Sequence, residues 1–237
     1  MPGILALVGG DEFHPGNEPQ DVRLRDAAAG RPVYVVATAA NDNPEAAVET
    51  ARRWFRALGL EVEELRARTR AEASDRATAD LARGAGLIYI AGGNPGYLVD
   101  VLQQSVVWTA IAQAWRGGMA LAGSSAGAMA LCQWSLIRAG WPNRTRRRGR
   151  DALGLVPGCA FLPHYDTFGE GWIPSAQETI GADTLLLGVD ERTAALWEDG
   201  QWWALGAGAV TLVRGATRHR FEAPSPISGL PPPTVLI

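Results

Sequence analysis

The segment Gly123-Ser124-Ser125-Ala126-Gly127-Ala128 sets a serine between two glycines. A hydroxyl becomes an exposed nucleophile when the backbone turns sharply from strand to helix beneath it. That turn is strained and requires small residues two positions before and after, so that strand and helix can approach closely. Gly123 and Gly127 meet the requirement around Ser125, whereas the same positions around Ser124 hold Ala122 and Ala126, which are less permissive. Ser125 is the candidate nucleophile. Alternatively, the glycines only let a helix start pack closely. A second glycine-rich stretch, Ala91-Gly92-Gly93-Asn94-Pro95-Gly96, offers free backbone N–H groups. Two such donors make an oxyanion hole. The amide of Gly93, or of its neighbour Gly92, and the amide of Ala126, which follows the nucleophile, are the candidates. The same two loops could instead cradle a phosphate.

A serine nucleophile needs a base, and the chain has three histidines. His14 falls in a polar loop, and His219 lies between Arg218 and Arg220 on an expected edge strand. His164 remains, at the end of the apolar run Ala160-Phe161-Leu162-Pro163, and imidazole is the usual base for a serine hydroxyl. An ordinary strand-end histidine is the alternative. The acid that orients the imidazole and stabilises its charged form comes from Asp151, Asp166, Asp190 or Glu191. Glu191 is favoured because it follows the apolar run Leu185 to Val189, while Asp166, two residues from His164, would have to fold back on it.

These residues need elements to hold them. Short apolar runs bounded by Gly, Pro or Asn recur at Ile4 to Val8, Pro32 to Ala37, Leu87 to Ala91, Met119 to Ala122, Ala160 to Pro163 and Leu185 to Val189. Each predicts a buried strand. Helical patterns lie between them: Asn43-Pro44-Glu45 opens Ala46 to Leu58, with Gly59 as the stop, and Ala126 to Trp134 has helix-forming composition. The alternation predicts an α/β domain spanning 1–237 with a mostly parallel sheet, helices on both faces and chemistry at the carboxyl ends of the strands. Past Val189, the runs Thr193 to Trp197, Gln201 to Ala204, Ala209 to Val213 and Arg218 to Phe221, with the turn Glu198-Asp199-Gly200, predict antiparallel hairpins closing the domain.

Composition narrows the partners. A 237-residue chain that is 47% hydrophobic can bury a full core in one domain. A net charge of -3 supplies no basic field for nucleic acid or an anionic membrane, and neither is expected as a partner. All 22 cationic residues are arginine, which speaks of genome bias rather than function. Cys132 and Cys159 are too few for a disulfide framework and lack metal-ligand spacing, so core thiols and no metal or organic cofactor are expected. The N-terminal apolar run lacks a basic leader and is too short for a signal peptide or membrane span, so a cytoplasmic protein is expected.

Taken together, four pieces resemble peptidase family S51, which comprises dipeptidase E and cyanophycinase. They are Ile90-Ala91-Gly92-Gly93-Asn94, the serine segment 123–128, Leu153 to Gly158 running on to Pro163-His164-Tyr165-Asp166, and Gly188 to Ala194. The resemblance implies a three-layer α/β/α sandwich like that of class I glutamine amidotransferases, with Ser125 as nucleophile, His164 as base and an oxyanion donor near Gly93. Dipeptidase E takes its acid from an aspartate shortly after the nucleophile helix, where this chain has Leu136-Ile137-Arg138-Ala139-Gly140. The glutamate that cyanophycinase carries after the late strand is matched by Glu191. Dipeptidase E also has an arginine downstream of its histidine that recognises an N-terminal aspartate, and Gly169-Glu170-Gly171-Trp172-Ile173 offers none.

The expected activity is a serine peptidase, an exopeptidase on short peptides working through an acyl-enzyme with a Ser-His-Glu triad. An esterase-type serine hydrolase and a non-catalytic nucleotide or phosphate-binding module are the alternatives. Asn94 is a candidate substrate contact and Trp172 a candidate pocket wall. The run Arg144 to Arg150 is expected to be a solvated loop, with the alternative that it binds a peptide carboxylate. Self-association as a homodimer stays open.

Overall fold

In the computed structural model, which describes residues 1–140 and 145–234, the first half of the chain alternates strand and helix as its apolar runs require. β1 (Leu5–Val8), β2 (Val33–Val36), the two-residue β3 (Glu63–Glu64), β4 (Leu87–Ile90) and β5 (Ala120–Ser124) pair in parallel. The connections contain α1 (Glu18–Ala28), α2 (Pro44–Ala57), α3 (Arg70–Ala73), α4 (Arg76–Gly84), α5 (Pro95–Leu102) and α6 (Val106–Arg116). Side chains of β1 alternate between two apolar clusters, as the strand period of two demands. Leu5 and Leu7 pack with Ala82 of α4, Leu98 of α5 and Ile111 of α6. Ala6 and Val8 pack with Leu24 of α1 and Phe55 of α2. Helix starts follow their capping residues. The side chain of Asn43 accepts from the amide of Ala46 at 3.2 Å ahead of Pro44, and that of Asn94 accepts from Tyr97 at 3.1 Å ahead of Pro95.

Beyond β5 the chain departs from expectation. α7 (Ala126–Leu131) ends early, and where the composition suggests helix as far as Trp134 the chain becomes β6 (Cys132–Arg138). β6 pairs antiparallel with β7 (Arg147–Asp151) and parallel with β8 (Val156–Leu162). After α8 (Ile173–Ile180), β9 (Leu185–Val189) lies parallel to β8. Most of the expected arginine loop is therefore a strand, while Arg144 lies outside the described residues. The run Arg-Arg-Gly-Arg-Asp has little strand propensity of its own, and α8 supplies what it lacks. Hydroxyls of Ser175 and Thr179 accept from the amides of Arg147 and Gly149 at 3.1 and 3.0 Å, satisfying the edge that no further strand covers.

The closing hairpins form as expected. β10 (Thr193–Glu198), β11 (Gln201–Gly206) and, later, β14 (Ser225–Ile227) extend the first sheet beside β1. β12 (Ala209–Arg214) and β13 (Thr217–Glu222) extend the second beside β9. The expectation of a mostly parallel sheet is corrected: both sheets are mixed, with six parallel and six antiparallel pairings among the described residues. Parallel pairing needs a crossover of a dozen or so residues, and the short turns after Val189 leave room only for antiparallel neighbours. One apolar cluster joins the two sheets, with Leu7 and Leu121 packed in the same body as Phe161 and Leu187.

Candidate active site

The site is assembled on the carboxyl end of β1. Three consecutive carbonyls there hold three different segments: Val8 O accepts from Ser125 N at 2.9 Å, Gly9 O from His164 N at 2.7 Å, and Gly10 O from Arg192 N at 2.9 Å. The residues that follow β5, β8 and β9 are thereby fixed to one another through a single strand end.

Ser125 joins β5 to α7 with φ 46° and ψ -107°, a conformation that a non-glycine residue adopts only under strain. The flanking glycines permit it. A Cβ on Gly127 would stand 2.3 Å from the carbonyl oxygen of Ile90, and one on Gly123 would stand 2.7 Å from the backbone of Gly127. Ser124 is fully buried, and its hydroxyl donates to Glu12 Oε2 at 2.8 Å. Ser125 Oγ instead lies 3.2 Å from His164 Nε2, and His164 Nδ1 lies 2.7 Å from Glu191 Oε1. With the carboxylate accepting the Nδ1 proton, Nε2 is left as the acceptor for a hydroxyl proton.

Of the other carboxylates considered, Asp190 Oδ2 accepts from Ala209 N at 2.9 Å and from Arg220 at 3.0 Å and makes no hydrogen bond to the imidazole among the described residues. Asp151 lies on β7 opposite Trp134. Asp166 does fold back, though onto the backbone: its Oδ1 accepts from Glu191 N at 3.0 Å and so holds the glutamate rather than the histidine. His14 is exposed, bonded to the carbonyl of Glu12 at 3.0 Å, and His219 is exposed on β13.

The glycine loop after β4 divides its amides. Gly92 N donates to Glu12 Oε1 at 2.7 Å and is taken. Gly93, at φ 137°, is pressed against the chain after β2: its Cβ would stand 2.1 Å from the carbonyl oxygen of Ala39. The amides of Gly93 and Ala126 make no hydrogen bond among the described residues, so both are free to donate. Ser125, His164, Gly93, Asn94, Phe168 and Trp172 line one cleft of about 1090 Å³. Asn94 lends its Oδ1 to the cap of α5, while its amide NH2 is left for a ligand.

No group of three or more His, Cys, Asp or Glu among the described residues is placed to hold a metal ion. Nor is any helix among them long and apolar enough to cross a membrane. The sequence model of peptidase family S51 matches residues 5–204.

The chain belongs to peptidase family S51. It is accordingly a serine-type peptidase. Its relatives include the cyanophycinase of Trichormus variabilis (strain ATCC 29413 / PCC 7937), 28% identical over 219 residues that cover 89% of this chain and 72% of the relative. The cyanophycinase of Thermosynechococcus vestitus (strain NIES-2133 / IAM M-273 / BP-1) is 29% identical over 219 residues, covering 89% and 67%. Among solved structures, a peptidase from an acI-B1 Actinobacterium superposes with a TM-score of 0.82 at 29% identity, over 97% of this chain and 98% of that one. A putative peptidase E protein from Listeria monocytogenes EGD-e shares the fold, with a TM-score of 0.60 at 19% identity over 94% and 99%.

Two features of this S51 peptidase go beyond the motifs. Glu12 links the amide of Gly92 to the hydroxyl of Ser124, tying the glycine loop to the serine turn. It follows β1 at a carboxyl end, the criterion that singled out His164 and Glu191, and could have been found by it. The second is an aromatic stack: Phe168 lies on the imidazole of His164, with centroids 4.8 Å apart and planes at 23°, and Trp172 lies 5.4 Å beyond Phe168. Phe168 is an exposed phenylalanine in a loop, and nothing in its local sequence marks it.

Proposed function

We propose that this S51 peptidase cleaves short peptides by acyl transfer to Ser125, as an exopeptidase. The observation that carries this is the single imidazole of His164 bridging Ser125 Oγ and the carboxylate of Glu191. In that arrangement Ser125 Oγ attacks the peptide carbonyl while Nε2 takes its proton. Glu191 holds the imidazole and stabilises its cationic form. The amides of Gly93 and Ala126 receive the oxyanion. His164 then gives its proton to the leaving amine, and water, deprotonated by the same nitrogen, releases the acyl group and restores the serine.

The preference for short substrates is supported by the walls of the cleft, where the Phe168–Trp172 stack on His164 and Asn94, which caps α5, line the space around Ser125. The apolar cluster that runs through both sheets supports a single catalytic unit. The alternatives fare worse on geometry. An esterase with the chain order serine, acid, histidine would need His219, which is exposed on β13. A phosphate cradle would need the amide of Gly92, which a carboxylate already occupies and whose charge repels an anion.

A fluorophosphonate probe tests the chemistry, and a dipeptide and tripeptide library read by mass detection tests the substrate class. The probe is expected to label Ser125, with labelling and turnover lost in Ser125→Ala. Labelling that survives in Ser125→Ala and disappears in Ser124→Ala would move the nucleophile. Cleavage of long chains only at internal bonds would overturn the exopeptidase assignment.

A further inference from the structure

Four of the five described arginines of the β6–β7 hairpin and its approach differ sharply in their partners. Arg146 pairs with Glu178, and Arg150 pairs with Asp100. Arg138 and Arg147 form no ion pair among the described residues. Those two stand directly opposite each other in the antiparallel register of β6 and β7. Residues so paired share one face with their Cβ atoms about 4.5–5.5 Å apart, and like charges there destabilise the sheet. Both line the cleft that holds Ser125 and His164.

Arg147 is also held in place. Its guanidinium carbon lies 3.9 Å over the ring of Trp172, and its Nη1 is buried without a hydrogen-bond partner among the described residues. A cation stacked on an aromatic face keeps its edge donors free for an anion. Burial, and then the neighbouring charge of Arg138, press the pKa of Arg147 down, the direction expected where two cations wait for an anion between them. From Arg147 the stack continues through Trp172 and Phe168 to the imidazole of His164. An extended peptide advances roughly 3.3–3.6 Å per residue, so a few residues suffice to span from the serine to the guanidinium pair.

We propose that Arg138 and Arg147 form a carboxylate-binding subsite that selects peptide substrates carrying a free carboxylate a few residues or fewer from the scissile bond. This rests on the peptidase assignment above. The carboxylate is either the C-terminal α-carboxylate or an acidic side chain, and both offer the same planar pair of oxygens to a guanidinium fork.

The test compares two matched substrate pairs on the intact enzyme: peptides with a free C-terminus against their C-terminal amides, and peptides with Asp against the same peptides with Asn. The wild-type enzyme is expected to prefer the acid in one pair, which identifies the source of the carboxylate. Arg147→Gln and Arg138→Gln are expected to raise KM for that acid by about tenfold to a hundredfold, the scale of a lost charge-assisted hydrogen bond. The neutral partner should be little changed, and Arg147→Lys should recover part of the preference. Arg146→Gln, whose guanidinium pairs with Glu178 outside the cleft, should leave both substrates unaffected. Absence of any acid preference in the wild type, or equal effects of Arg138→Gln and Arg147→Gln on acid and neutral peptides, would overturn the subsite. Failure of the wild-type enzyme to react with a fluorophosphonate would instead overturn the proposed acyl transfer to Ser125 beneath it.

Discussion

Gly10 and His164 are in contact: a Cβ built on Gly10 would stand 2.3 Å from the imidazole Cε1 and 2.5 Å from Nε2. Gly10 also has φ 124°, a conformation that suits glycine alone. The imidazole can sit between Ser125 and Glu191 only because nothing projects from the end of β1.

Gly10→Ala should therefore push the ring off its two partners while the fold persists. A displacement of this size in a catalytic group costs on the order of a hundredfold in rate. The checks are kcat/KM and the rate of fluorophosphonate labelling, with circular dichroism to establish folding. Wild-type rates in a folded Gly10→Ala enzyme would show that the imidazole position is not what limits turnover.

Glu12 makes a second, separable prediction. Glu12→Ala strands the amide of Gly92 and the hydroxyl of Ser124, and unsatisfied buried groups cost about 1–3 kcal/mol each. The loop that carries Gly93 should lose its register with the serine turn, so kcat should fall more than KM changes. Glu12→Gln keeps an acceptor for Gly92 and should restore most of both. Denaturant midpoints and steady-state kinetics of the two variants decide it, and an equal loss in both would show that the charge matters rather than the hydrogen bonds.

The parts of this architecture legible in the sequence are those set by local chemistry. Val33 to Val36 and Leu87 to Ile90 read as strands because they are short, fully apolar and punctuated. The serine turn reads as a turn because only glycines fit at 123 and 127. What stayed hidden was set by partners distant in sequence. Nothing between Leu131 and Cys132 breaks a helix, and β6 exists because β8 and β7 offer it hydrogen bonds on either side. The arginine strand β7 exists because two hydroxyls of α8 receive its amides. Both are cases of tertiary context overriding propensity. Glu12 stands at a strand end where chemistry is expected, but its partner Gly92 lies 80 positions away, and Phe168 carries no local mark of its stacking on His164.

Glu191→Gln separates the candidate acids. Glutamine preserves the size of the group but cannot stabilise an imidazolium, so kcat should fall on the order of a thousandfold or more with the fold intact. Asp151→Asn and Asp190→Asn should stay near wild type in kcat. Asp166→Asn should lie between, since an asparagine oxygen can still accept from the amide of Glu191. If Glu191→Gln kept activity within about tenfold while one aspartate variant collapsed, that aspartate would take the role.

Asp21 sets a pH dependence of stability that is independent of catalysis. It lies on α1, fully buried, with Oδ2 accepting from the indole N–H of Trp54 at 2.8 Å and Oδ1 without a partner among the described residues. Burial pushes its pKa up to about 8 from an ordinary 3.8; the Trp54 hydrogen bond opposes this, and the charges of Glu12 and Glu18 add to it. Between those two values the folded state holds a proton that the unfolded chain has released, so the free energy of unfolding falls as pH rises. The stabilisation from the neutral acid is fully present below pH 3.8, declines across the window and is gone above about pH 8. The slope from this one group is at most about 1.4 kcal/mol per pH unit. Asp21→Asn has no proton to lose and keeps an oxygen for Trp54, so it should gain on the wild type from pH 5 to about pH 8 and level off above that. Urea midpoints of both proteins at pH 5, 7 and 9 measure that difference directly. A difference that stays constant across the three would mean that Asp21 is ionised in the folded protein, its charge held by the indole N–H, and that its burial is no obstacle to losing the proton.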